Sequence, residues 1–69
     1  MSLQNEYNVL NFVKDLLKAD EITHKINKTE TFERSCQRKA FEAIVEIRKS
    51  EIEHIYQKLL QEQNNKEQV

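Results

Sequence analysis

Apolar residues recur at helical spacing along the first third of the chain. Between Val9 and Leu17 they cover about half of a helical cylinder at 100° per residue. This arc is broader than the single stripe of a helix that packs on one neighbour. We therefore expect the first helix to be contacted from two sides, by its own chain and by another subunit. Ser2 is placed to cap its start.

The end of this first helix has two interpretations. The helix could continue, or Asp20 could cap a separate short helix over residues 21–27. In that short helix Ile22 and Ile26 would lie one turn apart on the same face. Both interpretations agree with the sequence.

The first clear break in the pattern lies at residues 27–30. Asn27 with Glu30 three positions later is a variant of the capping box, and Thr29 or Thr31 could cap a helix equally well. We therefore expect a new helix to begin near Glu30.

Two apolar stripes follow this break. The first has members three or four residues apart: Phe32, Cys36, Ala40, Ala43, Ile44 and Ile47. The second stripe comprises Ile52, Ile55, Tyr56, Leu59 and Leu60. On one continuous helix the centres of the two stripes would lie roughly 120° apart, so a straight helix would direct them at different partners.

A possible helix boundary separates the two stripes. Ser50 and Glu53 form the Ser-x-x-Glu pattern of a capping box directly before the second stripe. This pattern favours a break or a sharp bend at Ser50. The alternative is one helix of about 33 residues that packs on different neighbours at its two ends.

The chain of 69 residues contains no glycine and no proline. Without these residues tight hairpin turns are difficult to build, whereas helices joined by short polar links are not. We predict an all-α domain of three helices, or four if residues 21–27 form their own helix. The domain spans residues 1–62, and residues 63–69 are polar and aperiodic, which predicts a disordered tail.

Charge is distributed unevenly along the chain, although the net charge is only −1. Residues 25–49 carry seven basic and four acidic side chains, and all three arginines lie in this segment. Residues 1–24 and 50–69 each carry two basic and four acidic side chains. A basic centre between acidic flanks indicates a site for an anionic partner.

The basic centre also carries a pattern of paired helices. Ile22 and Ile26 are followed by a polar turn, and Phe32, Cys36 and Ala40 would then lie inward on a second helix. Over about 20 residues this plan resembles the helix-turn-helix or homeodomain-like DNA-binding domains. The turn glycine of those domains and the buried aliphatic residue beside it are replaced by Asn27 and Lys28.

This resemblance implies a non-enzymatic DNA-binding protein, such as a regulator or a replication accessory factor. Its partner would be the phosphate backbone, with weak sequence preference, contacted through a basic central helix. The Lys-, Asn- and Ile-rich composition resembles that of small phage or plasmid proteins. The candidate nucleic-acid contacts are Lys25, Lys28, Thr31, Arg34, Ser35, Arg38 and Lys39.

The competing interpretation is a helical protein–protein interaction module, an adaptor or inhibitor that binds no nucleic acid. The heptad-like spacing of Val45, Ile52 and Leu59 is typical of a helix that packs on another helix. A chain this short rarely gains more than ~3–5 kcal/mol of stability from its own core, so association with a second copy would add to it. A homodimer is expected with either function. The candidate interface residues are Val9, Phe12, Val13, Leu16, Phe41, Ile52, Ile55, Tyr56 and Leu59.

Residues that could support catalysis or hold a cofactor are few. Cys36 is the only cysteine, so no internal disulfide can form and a cytoplasmic protein is expected. Its place in the first stripe predicts a buried thiol. His24 and His54 are far apart in sequence and belong to no metal-binding motif. We therefore predict no enzyme activity, no metal, no cofactor, no small-molecule substrate and no membrane span.

Overall fold

The computed structural model describes residues 2–67, and the side chains of residues 2–64. Over the described range the chain forms two helices, α1 at Leu3–Ile26 and α2 at Phe32–Glu67. The prediction of an all-α protein is confirmed. The prediction of three or four helices is wrong, because the expected boundaries at Asp20 and Ser50 lie inside continuous helices.

Helix α1 begins where the sequence places its cap. The Ser2 side chain accepts a hydrogen bond from the Asn5 backbone N–H at 3.1 Å. The helix then continues through Asp20, and no separate helix forms over residues 21–27. Glu21 and Lys25 form an ion pair of 3.0 Å one turn apart, which stabilises the helix where the boundary had been considered.

The turn after α1 is a Schellman motif built without glycine. Asn27 is the C-cap, and Lys28 takes a positive φ of 60°. The Lys28 N–H bonds to the Lys25 carbonyl at 3.3 Å, and the Thr29 N–H bonds to the His24 carbonyl at 2.9 Å. This left-handed position is usually occupied by glycine. The chain therefore closes its turn with a lysine in a conformation that a Cβ atom disfavours.

Helix α2 starts at the second of the two threonines considered as caps. The Thr31 hydroxyl accepts a hydrogen bond from the Arg34 backbone N–H at 3.1 Å, and the helix begins at Phe32. The alternative of one long helix is correct, since α2 runs for 36 residues without a break. It also includes residues 63–67, which the sequence had assigned to a disordered tail, while residues 68–69 lie outside the described range.

The predicted break at Ser50 is replaced by continuous helix because α1 packs on both sides of that position. Glu6 bonds to Arg48 at 2.8 Å, and the Tyr7 hydroxyl donates to Glu53 at 2.6 Å. A Ser-x-x-Glu pattern describes only one turn of chain. In this protein the contacts with the facing helix determine the conformation of that turn.

The two helices run antiparallel, side by side. Early residues of α1 contact late residues of α2, as in Tyr7–Glu53, and later residues contact earlier ones, as in Asp20–Arg38. The molecule measures 61 × 18 × 17 Å. Because α1 is about 36 Å long, it cannot lie across the 18 Å dimension. The helices of a helix-turn-helix cross at about 90–120°, so the arrangement here differs from that plan.

Helix α2 is longer than its neighbour and extends past it. Since Tyr7 lies opposite Glu53, the first residue of α1 is level with a position near residue 57. The last ten or so residues of α2 therefore project about 15 Å beyond α1. We call this part of α2, residues 58–67, the overhang.

The contact between the helices follows heptad spacing, with intervals alternating between three and four residues. We call these inward positions the seam. On α1 the seam positions are Leu3, Glu6, Leu10, Val13, Leu17, Asp20 and His24. On α2 they are Ser35, Arg38, Glu42, Val45, Lys49, Ile52 and Tyr56, with Arg48 and Ile55 beside them. The centre of the seam is apolar, and Ile52 is fully buried with no exposed surface.

Candidate interaction surface

Arg38, predicted to contact nucleic acid, lies inside the hairpin. Its side chain is 4% exposed and is held by two carboxylates of the same chain. It donates to both oxygens of Glu30, at 2.6 and 2.8 Å, and to Asp20 at 3.0 Å. Among the described side chains, its Nε is a buried polar atom without a hydrogen-bond partner. Arg38 therefore has no surface to offer a phosphate in this conformation.

The pKa shifts around Arg38 have the direction expected of a charge-paired cluster. The hydrogen bonds from its guanidinium hold the pKa of Glu30 and of Asp20 below their ordinary values. In return, the Glu30 carboxylate raises the pKa of Arg38. All three groups are charged at neutral pH, and together they connect both helices with the turn.

A second arginine cluster joins the helices near the N-terminus of α1. Arg48 contacts both oxygens of Glu6 at 2.8 Å and also bonds to Glu51 of its own helix at 2.9 Å. The paired hydrogen bonds from Arg48 lower the pKa of Glu6. Arg48 is half-buried and its charge is balanced within the chain.

One long edge of the hairpin is polar. Lys14 forms a 2.9 Å ion pair with Glu46 across the two helices, and its pKa is raised by that carboxylate. Further along, the Glu53 carboxylate raises the pKa of the Tyr7 hydroxyl that donates to it. The Lys49 ammonium lies 5.4 Å from the centre of the Tyr7 ring. We call this side the polar edge.

The opposite edge of α1 is apolar. Val9, Phe12 and Leu16 recur at intervals of three and four, one position before the inward Leu10, Val13 and Leu17. About half or more of each of these three side chains is exposed, and Phe12 is 63% exposed. The wide apolar arc predicted for α1 is thus used on one side by α2 and left uncovered on the other.

Helix α2 contributes to the same apolar edge. Its heptad register places Phe41 and Ile44 on the side away from Glu46 and Glu53, which mark the polar edge. Phe41 is 58% exposed and Ile44 is similarly open. In the antiparallel hairpin these two residues therefore lie on the same side as Val9, Phe12 and Leu16. We call this set of five residues the apolar face.

The first apolar stripe of α2 faces away from α1, so the prediction that it packs inward is wrong. Phe32 is 87% exposed, and Cys36 and Ala40 are also exposed. The seam takes the neighbouring positions Ser35 and Arg38 instead. Cys36 is accordingly a surface thiol and not the buried one predicted. The cause is that the Arg38 cluster and the apolar seam centre fix which side of α2 faces α1.

The remaining candidate nucleic-acid contacts are dispersed around the turn. Lys25 is paired with Glu21, and Thr31 caps α2. Lys28 forms the left-handed turn position, and Ser35 is half-buried on the seam. Lys39 is exposed. The structure does not bring these side chains onto one helix face.

Arg34 borders an open cavity of about 450 Å³ at the turn. Its Nε donates to His24 Nε2 at 3.0 Å, while His24 Nδ1 lies 2.6 Å from the Thr29 hydroxyl. The side chains of His24, Thr29 and Arg34 in this cavity are therefore engaged with each other.

The candidate dimer residues divide into two groups. Val9, Phe12, Leu16 and Phe41 form most of the apolar face. Val13, Ile52 and Ile55 are covered by the facing helix of the same chain, so they are seam residues and not available to a second subunit. Tyr56 lies at the far end of the seam and Leu59 on the overhang, and both are about half exposed.

Sequence reasoning missed Ile44 as a surface residue, and it missed the charged positions of the seam. The signal for the seam was present in α1. Glu6 and Asp20 continue the alternation of three and four that Leu10, Val13 and Leu17 define. Acidic residues at heptad positions would have predicted basic partners on the facing helix.

Two kinds of site are not found in the described part of the chain. Among the side chains of residues 2–64, no group of three or more His, Cys, Asp or Glu is placed to hold a metal ion. Neither described helix combines the length and apolar character that crossing a membrane requires.

Comparisons with known proteins found no similarity that could assign a function. No family model, no curated protein and no solved structure matches this chain.

Proposed function

We propose that this protein is a non-enzymatic helical interaction module that binds protein through its apolar face. The observation that carries this proposal is the reversed use of α2. Over its first four turns the helix directs Phe41 and Ile44 away from α1, while Arg38 and Ser35 lie on the seam. An amphipathic helix normally buries its apolar side. The exposed apolar side of α2 therefore indicates a partner outside the hairpin.

The two stripes of α2 support the same conclusion. On one straight helix the centres of the two stripes lie roughly 120° apart, as expected for a helix that contacts different partners at its two ends. The partner of the second stripe is α1, which covers Ile52 and Ile55. The first stripe, which shares Ile44 with the apolar face, has no cover within residues 2–64.

The size of the apolar face also fits recognition of a protein. A phenylalanine side chain presents about 200 Å², so Phe12 and Phe41 together leave roughly 240 Å² uncovered at their exposed fractions. Val9, Leu16 and Ile44 extend this patch. The largest apolar patch on a typical monomer measures about 300–600 Å² and is often a functional surface.

Nucleic-acid binding receives less support from the geometry and stays a prediction. Arg38 is internally paired, and Arg34 donates to His24. The basic side chains that remain near the turn are interspersed with Glu21, Glu30 and Glu33. A phosphate-binding surface needs several cations directed at one track.

A photocrosslinking experiment tests the proposal. Phe12 is replaced by photoreactive p-benzoylphenylalanine, and the protein is irradiated both purified and in its producing cells. Since Phe12 lies on the apolar face, we expect covalent adducts to polypeptide, identified by mass spectrometry. The matched control carries the same photoreactive residue at Lys18, which is exposed beside the polar edge, and should give few adducts.

Adduct formation that is equal at the two positions, or absent at both, contradicts the proposal. A titration of labelled single- and double-stranded DNA at low and high salt tests the rival function. Salt-sensitive binding that an Arg34→Ala variant abolishes would support nucleic-acid recognition instead.

A further inference from the structure

We infer that the partner covering the apolar face is a second copy of this chain, and that two hairpins pack there into a four-helix bundle. This inference rests on the proposed function, because it names the occupant of the same face. The arguments come from surface area, from the size of the core and from charge.

The surface area of the single chain is too large for a compact protein of its mass. A folded monomer of this mass exposes about 4,600 Å². The hairpin exposes 5812 Å². The excess of about 1,200 Å² exceeds the ~800 Å² that each partner buries in a standard interface. A standard interface with one further copy on the apolar face would bury about two thirds of this excess.

The core of the single hairpin is too small to stabilise it alone. Among the described side chains, the buried apolar residues are Val45 and Ile52. Two helices offer each other only one contact surface, whereas four antiparallel helices enclose a central core. In such a bundle Phe12 and Phe41 become core residues. The broad apolar arc of α1 then has a neighbour on each side.

Charge around the apolar face permits self-association. A two-fold dimer brings the same patch of each copy together, so an unpaired charge there would face its own equivalent. Arg48 lies one heptad after Phe41 on the same side of α2, and its charge is paired with Glu6 and Glu51 within the chain. The net charge of −1 adds little long-range repulsion.

Sedimentation equilibrium of the wild-type protein tests the inference, over roughly 1 µM to 1 mM so that both weak and tight dimers are detected. We expect a species of twice the chain mass of 8.3 kDa. Its Tm should rise with protein concentration, because unfolding of a dimer is coupled to dissociation.

A Phe12→Ala variant then locates the interface. The dimer carries this substitution twice, and each loss of an interface aromatic costs about a factor of ten, so we expect the dissociation constant to rise roughly 100-fold. The matched control is Leu60→Ala. Leu60 is 59% exposed, close to the 63% of Phe12, but it lies on the overhang. Its substitution should change the dissociation constant by less than about threefold.

The possible outcomes separate this inference from the proposed function. A folded wild-type monomer at every concentration overturns the inference, as does a Phe12→Ala variant that dimerises as tightly as wild type. If the wild type is monomeric but Phe12 crosslinks to a different polypeptide, the proposed function stands and the second copy is excluded. If the wild type is a dimer and Phe12→Ala is unfolded, the inference is supported, because the fold then depends on the interface.

Discussion

Helices α1 and α2 use their apolar residues in different ways. Helix α1 has two apolar sides of similar character, one lying on the seam with Leu10 and Val13, and one exposed with Val9 and Phe12. Helix α2 packs against α1 with its more polar side over its first four turns and with an apolar side, centred on Ile52, after them.

This difference shows that apolar periodicity identifies a contact face without identifying the contacting partner. In α1 one side of the arc packs on α2 and the other side is exposed. In α2 the stripe that most resembles a core is the one that the chain leaves exposed. The seam is instead defined by charge pairing at Arg38 and Arg48 and by apolar packing at Val45 and Ile52.

The largest expected effect comes from the apolar centre of the seam. Ile52→Ala removes a fully buried side chain and should lower the free energy of unfolding by about 2–5 kcal/mol. Leu60→Ala on the same helix should change it by less than about 0.5 kcal/mol, because Leu60 is exposed. Urea unfolding at one fixed protein concentration measures both values. Equal effects would show that the seam is not where the structure places it.

A smaller but still large effect is expected at the polar part of the seam. Arg38→Met leaves Asp20 and Glu30 without their partner, and Tm should fall by roughly 10 °C or more. Arg34→Met should lower it much less, because Arg34 is exposed. Thermal unfolding followed by circular dichroism compares the two.

A third variant tests whether the unpaired carboxylates cause the fall in Tm. Adding Asp20→Asn and Glu30→Gln to Arg38→Met removes both unpaired carboxylates and should restore part of the Tm. If Arg38→Met alone is as stable as wild type, the cluster does not stabilise the hairpin.

The pH dependence should report on the same clusters. The folded-state pKa values of Glu6, Asp20 and Glu30 lie below their ordinary values of 4.5 for Glu and 3.8 for Asp. Protonation therefore favours the unfolded chain. The stabilisation is fully present above about pH 5 and is lost as the pH falls below about 4. Urea midpoints measured from pH 7 to pH 3 should follow this course, and in Arg38→Met the acid-induced decline should be shallower.

The smallest expected effect is a gain in stability at the turn. Lys28 has a positive φ, where a Cβ atom costs about 1 kcal/mol. Lys28→Gly should stabilise the hairpin by up to that amount, reduced by the entropy that glycine adds to the unfolded chain. Lys28→Ala, which keeps the Cβ atom, is the control and should give no gain. A destabilised glycine variant would show that the lysine side chain itself supports the turn.

The parts of the fold that could be predicted are those that local chemistry determines. Ser2 and Thr31 cap their helices because a hydroxyl one position before a helix can accept a free backbone N–H. The all-α class follows from the apolar spacing and the absence of glycine and proline. The sequence allowed both a break at Ser50 and one long α2. Contacts with α1 decide between them, and the sequence does not show those contacts.

The parts that could not be predicted depend on which residues meet across the hairpin. Arg38 looked like a surface cation because its sequence neighbours are polar, whereas Glu30 and Asp20, 8 and 18 residues earlier, hold it inside. Phe32 and Cys36 looked like core because they are apolar and one turn apart. The width of the apolar arc predicted that α1 is contacted from two sides; α2 covers one of them, and contact of the other with another subunit stays a prediction.

The overhang of α2 should be visible in the kinetics of amide hydrogen exchange. Its backbone hydrogen bonds open by fraying of a single helix, which needs little free energy, whereas amides near Ile52 exchange only when the hairpin opens. Exchange rates should therefore rise steadily from the middle of α2 toward residue 67. A step to slow exchange within the overhang would mean that another molecule lies against it, and the position of the step would show how far that molecule reaches.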